Sequence, residues 1–160
     1  MKNNKGFSLV ELIIVIAIMA VLVGVLAPTY LQYVEKSKKS NDVSTVDSVI
    51  NACEIGAIDP EVMTDKTTKL TLTFDDAGGT MTIAAVDSTG VDVTGSKWKD
   101  AVEKAVGTDV KMKSSNWGAD IVIEATRNTT TGAVDFKYTA ASSSAFSTYA
   151  TALTKVKPAS

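Results

Sequence analysis

The sequence predicts an α+β chain: one long N-terminal α-helix, its first half apolar all round and its second half packed on an antiparallel β-sheet of about four strands. Three observations carry that expectation. Residues 12–34 bear no charge, apolar residues then recur at helical spacing to about Ile58, and beyond Pro60 the period shortens from 3.6 to 2, with aspartate and glycine at the turns. Setting aside the leader and the apolar stretch leaves roughly 130 residues, enough for one core and too few for two ordinary domains.

The first element is the most informative. A short leader, Met1 to Gly6, carries Lys2 and Lys5 and runs into Phe7-Ser8-Leu9-Val10-Glu11, after which every residue from Leu12 to Ala27 is apolar or glycine. At ~1.5 Å per residue such a helix is long enough for a bilayer core of ~30 Å. Glu11 is the anomaly in it, because a carboxylate in hydrocarbon costs roughly 2.5 to 3.5 kcal/mol even on lenient scales and so calls for a partner. Cutting the chain after Gly6 would create one. Phe7 would then carry a free amine of pKa about 7.7 to 8.0, four residues from Glu11. The two charges could pair within one helix or, if identical helices stack with an axial offset, across two chains, which yields a polymer.

Gly6-Phe7-Ser8-Leu9-Val10-Glu11-Leu12, followed by an Ile/Val/Ala/Leu run and Pro28, resembles the prepilin signal of type IV pilins and of the related pseudopilins of type II secretion and competence systems. The resemblance covers about the first 30 residues of the chain and says nothing beyond them. It implies the type IV pilin fold, cleavage by a prepilin peptidase between Gly6 and Phe7, N-methylation of Phe7, and assembly that depends on Glu11 and on a helix-kinking Pro28. It further implies a homo-oligomeric helical filament, an inner-membrane platform and a separate motor ATPase. On this reading residues 1–6 are the leader peptide, 7–28 the transmembrane and filament-core helix, and 29–160 the globular head with the second half of the helix. The precursor would span the cell membrane once with its N terminus in the cytoplasm, and the mature subunit would enter an extracellular pilus.

Other readings of the same stretch explain less. A secretory signal has an apolar region of 7 to 15 residues and a small-residue cleavage site; this run is longer and Leu26-Ala27-Pro28 offers no such site. An unprocessed single-pass anchor fits by length but leaves Glu11 and the Gly6-Phe7 junction without a reason.

Helical spacing continues through Val43, Val46, Val49, Ile50, Cys53 and Ala57, and Asp59-Pro60 supplies a stop, giving one helix of roughly 50 residues. Pro28 cannot donate to the Gly24 carbonyl and its ring crowds that turn, so Gly24 to Pro28 is the segment expected to melt when the subunit leaves lipid for the fibre. Ala20 and Gly24 form a small-xxx-small pair that permits close helix approach. Lys36, Lys38 and Lys39 follow as a basic cluster, read as a solvated face or as a contact for lipid headgroups or an acidic neighbour. Against Lys2 and Lys5 they leave the positive-inside rule undecided, so the orientation rests on the resemblance.

Beyond Pro60, Leu70, Leu72 and Phe74 alternate with threonines, Asp75-Asp76-Ala77-Gly78-Gly79 supplies a turn, and Met81, Ile83 and Ala85 alternate again as the second strand of a hairpin. A second hairpin pairs Ile121-Val122-Ile123 with Val134, Phe136 and Tyr138 across a Thr-rich turn from Arg127 to Gly132. Between them Ser96 caps a short helix with Trp98, Ala101, Val102, Ala105 and Val106 on its buried side. A Ser-rich tail from Ser142 has Phe146, Tyr149 and Leu153 at helical spacing, with no clear assignment.

Composition narrows the function. With one cysteine and no histidine, Cys53 forms no intramolecular disulfide and no Cys/His zinc cluster exists; Cys53 itself reads as core packing. Many Gram-negative pilins close a C-terminal loop with a disulfide, so the resemblance implies a Gram-positive source. No catalytic residues, cofactor or metal site are expected: there is no histidine base, no G-x-S-x-G turn and no phosphate loop. The oxygen-rich Asp87-Ser88-Thr89-Gly90-Val91-Asp92 is the best calcium candidate but lacks EF-hand spacing. Asn128-Thr129-Thr130 matches a glycosylation sequon. Once Lys2 and Lys5 leave with the leader, 14 basic side chains face 18 acidic ones, a formal net of −4, and no nucleic-acid partner is predicted. The expected function is thus a structural subunit of a type IV pilus for adhesion, aggregation or motility. The alternatives are a pseudopilin of a type II secretion or DNA-uptake system and an unprocessed membrane-anchored binding domain.

Overall fold

The structure, a computed structural model, describes residues 7–139, 144–150, 153 and 155–158. Gly6 and the rest of the leader lie outside the described residues. Two compact units divide at Ser37 and Lys38.

In the first unit a single helix rules. Helix α1 spans Leu9–Ala57, with Pro28 inside it and no interruption at Gly24. Every described residue from Phe7 to Tyr33 is exposed, which is the pattern of a segment whose solvent is lipid or other copies rather than its own chain. Among the described residues this is the one helix long and apolar enough to cross a membrane, and its most apolar 18-residue window has nothing buried.

In the second unit the amphipathic half of α1 is core. Asp42 is its first buried residue, and Val43, Val46, Val49, Ile50, Cys53 and Ala57 follow on the same face. The helix ends at Ala57, one residue before the expected stop, and Asp59 serves as the cap of a short helix α2, Pro60–Met63: its backbone is extended, as a residue before proline should be, and its carboxylate accepts from the Glu61 N–H.

Five strands form one sheet in the order β2-β1-β3-β4-β5: β1 is Lys69–Phe74, β2 Thr82–Val86, β3 Ile121–Arg127, β4 Val134–Tyr138 and β5 Val156–Pro158. The first four pair antiparallel, and their register puts one apolar set on the core face: Leu72 of β1 lies between Ile83 of β2 and Ile123 of β3, and Ala125 of β3 faces Phe136 of β4. Both predicted hairpins are present. In the first, Asp75 Oδ1 accepts from the Ala77 and Gly79 N–H groups and Gly78 takes φ 84°, a conformation that favours glycine.

The structure departs from the sequence reading at three places. The sheet has a fifth strand, β5, parallel to β4 with Phe136 opposite Val156; three residues ending in proline are too short to show a period of 2. The tail before it forms α4, Ser144–Ala150, with Phe146 buried, and Leu153 is buried after it. Second, Arg127 is no turn residue: it ends β3 and is 3% exposed. Third, helix α3, Lys97–Val106, is capped by Ser96 as expected and buries Trp98 and Val102, but Ala105 is exposed, because a ten-residue helix on one sheet edge hides a narrower stripe than the five apolar positions span.

Candidate functional site

The candidate segment begins where the backbone enters α1. Ser8 precedes the helix and its carbonyl accepts the Leu12 N–H at 3.2 Å, while Glu11 reaches back so that its Oε2 accepts the Ser8 N–H at 2.8 Å. Ser8-x-x-Glu11 is therefore the return half of a capping box, which satisfies one of the donors a helix N-terminus leaves open, and a carboxylate in the first turn also meets the positive end of the helix dipole. The S-x-x-E spacing was legible in the sequence. Phe7, 88% exposed, is the first described residue, and Gly6 is outside the description, so the junction itself is not placed. Chemically, Glu11 is an exposed carboxylate at the head of an apolar helix, poised to accept from whichever donor is next to it.

Gly24 and Pro28 sit in one turn of α1. A Cβ added at Gly24 would meet nothing within 4 Å, so no contact inside the chain demands glycine there. The small residue leaves room that lipid or another helix can fill.

The second unit is held by two polar hubs that the sequence reading passed over. Arg127 donates from Nη1 to the Val62 carbonyl at 3.0 Å and from Nη2 to the carbonyls of Asp65 and Thr67 at 3.0 and 2.7 Å, and its guanidinium lies 5.5 Å from the Trp98 ring centre. Trp98 Nε1 in turn donates to the Cys53 carbonyl at 2.9 Å, so one chain of contacts joins β3, the segment after α2, α3 and α1. Burial pushes the Arg127 pKa down, against the pull of Asp65. Burial works against ionisation of Asp65 as well. The N–H groups of Trp98 and Thr67 and the hydroxyls of Thr67 and Ser96 outweigh it and hold that carboxyl below the usual range. Asp42 is the second hub: fully buried, it accepts from the N–H groups of Lys113 and Ser114 at 2.7 and 2.9 Å and from Trp117 Nε1 at 3.1 Å. Lys39 of the basic cluster lies over the Trp117 ring at 5.0 Å, while Lys36 and Lys38 are exposed. A lone arginine at the end of a strand and an aspartate bordering an apolar helix stripe carry no pattern by which sequence alone would assign these roles.

The remaining candidates resolve into turns or core. Asp87 Oδ1 accepts from the Thr89 N–H and hydroxyl and from the Val91 N–H, and these bonds, the hydroxyl's first, lower its pKa. Among the described residues no group of three acids, histidines or cysteines is placed to hold a metal ion. Asn128 is exposed with its Oδ1 accepting from the Thr130 and Thr131 N–H groups. Cys53 is buried, and burial, with Glu54 adding to it, pushes its thiol up to about 12.

An apolar α1 half with one acid in its first turn, continuing into a helix packed on a mostly antiparallel sheet, defines a pilin-like fold. Residues 1–27 match the prokaryotic N-terminal methylation motif, and the chain has fimbrial proteins as homologues. Two fimbrial proteins of Pseudomonas aeruginosa are each 28% identical over 108 residues, 68% of this chain and 66% of their own length. Fimbrial protein Q of Moraxella bovis is 37% identical over 70 residues, 44% of this chain and 41% of its own. The match thus spans just under two thirds of the Pseudomonas relatives. No solved structure matches the chain. The expectation of a Gram-positive source finds no support in these relatives.

Proposed function

We propose that this chain is a structural subunit of a type IV pilus, cut between Gly6 and Phe7, N-methylated on Phe7 and polymerised through α1 into a surface filament. The observation that carries the reading is the exposed apolar half of α1 headed by Glu11, together with the methylation motif over residues 1–27. A helix exposed on all sides from Phe7 to Tyr33 is stable in lipid and in a bundle of its own copies, and unstable in water. Cleavage gives Phe7 an amine four residues from Glu11, so the carboxylate that now holds the Ser8 N–H gains a cationic partner in its own chain or a neighbour's. The names of the relatives favour a fimbrial role over a secretion piston. Prepilin peptidase, an inner-membrane platform and a motor ATPase are the partners this reading requires, since the chain has no phosphate loop of its own. The precursor spans the cell membrane once and the product lies outside the cell.

Intact-mass and N-terminal peptide mass spectrometry on envelope protein tests the reading. A chain starting at N-methylated Phe7 is the expected result; an intact Met1 or a start near Pro28 would overturn it. Within the fibre, residues Gly24 to Pro28 lose helix, and a high-resolution map of the fibre with continuous helix there would contradict that part alone.

A further inference from the structure

The chain carries one cysteine and five methionines. Cys53 is buried with its thiol pushed up to about 12, so it holds little of the reactive thiolate. Met1 lies outside the described residues and Met19 in the apolar half of α1, while Met81 and Met112 are buried in the core. Among the described residues from Lys38 onward, Met63 is the one sulfur that is not buried. It ends α2, where its backbone N–H donates to the Asp59 carbonyl at 2.9 Å.

The group beside Met63 gives that exposure a chemical meaning. Arg127 is 3% exposed, and its Nη1, already bonded to the Val62 carbonyl, reaches Met63 Sδ at 4.0 Å. Its Nη2 has the carbonyls of Asp65 and Thr67, and its Nε, also buried, has no hydrogen-bond partner among the described residues. A guanidinium carries five N–H donors, and a thioether is a weak acceptor. Three of the Arg127 donors thus meet oxygen, one meets sulfur and one meets nothing. A buried donor left short of an acceptor costs free energy, the more so on a charged group. The β3–β4 turn passes the same sulfur with Gly132 at φ 72°, and a Cβ there would stand 3.4 Å from Sδ. Glycine leaves that volume free.

We propose that Met63 is a site of oxidation by hydroperoxides and that its sulfoxide oxygen is an acceptor for Arg127, so that the modification leaves the core closed. In the step a lone pair on Sδ attacks one peroxide oxygen. The S–O bond forms as the O–O bond breaks, and the proton on the transferred oxygen passes to the departing one, which leaves as water from hydrogen peroxide or as an alcohol from an organic hydroperoxide. The thioether is oxidised by two electrons and the peroxide is reduced by two.

A sulfoxide in a protein interior ordinarily disrupts packing, because a flexible apolar side chain becomes polar. At Met63 the new oxygen arrives beside a cation that lacks acceptors, and a hydrogen bond from an ionised donor is stronger than one between neutral groups. The exchange replaces a thioether by an oxygen at a guanidinium already held in place by three carbonyls.

The test treats the full-length chain in detergent micelles with dilute hydrogen peroxide, follows each methionine by peptide mass spectrometry, and compares thermal unfolding before and after by near-ultraviolet circular dichroism. Met63 is expected to gain one oxygen ahead of Met81 and Met112, and the treated chain to melt no lower than the untreated one. Oxidation of Met81 or Met112 first would overturn the site. A fall in the midpoint that treated Met63→Leu does not share would overturn the bond to Arg127, since the loss would then come from the Met63 oxygen itself. Met63→Gln reads that bond without peroxide, because its side-chain carbonyl offers Arg127 an oxygen in place of sulfur. It is expected to melt above Met63→Leu, and a lower midpoint would reject the bond.

Discussion

At the residue scale the head depends on buried polar groups whose partners are main-chain atoms. Arg127 is the sharpest case, since its guanidinium satisfies three carbonyls and covers Trp98. Arg127→Ala removes all of those donors from buried acceptors, and a loss of about 3 to 5 kcal/mol is expected by urea unfolding of the full chain. Arg127→Lys restores charge without the planar fork and recovers only part of that. Cys53 gives a cleaner pH signature. Its raised pKa means that the folded state favours the neutral thiol, so this contribution to stability is complete below the ordinary value of 9.0 and is lost as pH rises from there toward about 12. Alkylation at pH 8 should leave native Cys53 unmodified and label it on unfolding; labelling of folded protein would contradict the burial. Sequence already showed Cys53 as core, because it continues a helical apolar stripe. It did not show Arg127, because a single arginine between a strand and a Thr-rich turn reads as solvated, and its partners are carbonyls some 60 residues away in sequence.

At the element scale, period carried far and then stopped. The length of α1 to within a residue or two, both hairpins and the Ser96 cap follow from spacing and turn chemistry. Residues 107–120, which have neither period, and β5, which has three residues, do not. That long connection is nonetheless ordered: Asp42 of α1 holds Lys113, Ser114 and Trp117, and Asp76 of the β1–β2 turn accepts the Trp117 N–H at 2.7 Å. Its organisation lies in side chains from other elements, so no local pattern could announce it. Asp42→Ala should cost about 1 to 3 kcal/mol through the donors it strands. Hydrogen exchange provides the check, with protection lost at the Lys113 and Ser114 amides while the β1–β3 amides keep theirs; uniform loss would mean global unfolding rather than release of this segment.

At the scale of the whole molecule, the two units differ in how they treat their apolar residues. Among the described residues, those up to Tyr33 are all exposed and mostly apolar, and those from Lys38 onward build one buried core. Glu11→Ala removes the one acid of the apolar segment. It is expected to leave the protein processed and membrane-bound while filaments on the surface fall below detection, read by N-terminal mass spectrometry beside a sheared-pilus yield. Unchanged pili in that variant would show that the carboxylate serves only to cap α1, as its bond to the Ser8 N–H does in the monomer.

The fifth strand has a bearing on how the chain is made. Lys155, beside β5, bonds Asn51 of α1 across 104 positions of sequence, and Phe146, Leu153 and Val156 complete a core that begins at Val43. Because β5 emerges from the ribosome long after α1, the core has no complete form until the end of the chain is made, and contacts of such long range close slowly. The nascent chain must therefore wait, open, until its last residues arrive. A chain truncated before Leu153 would lack the residues that finish its interior and would leave the core unsealed, so that completion of synthesis is the condition for a closed second unit.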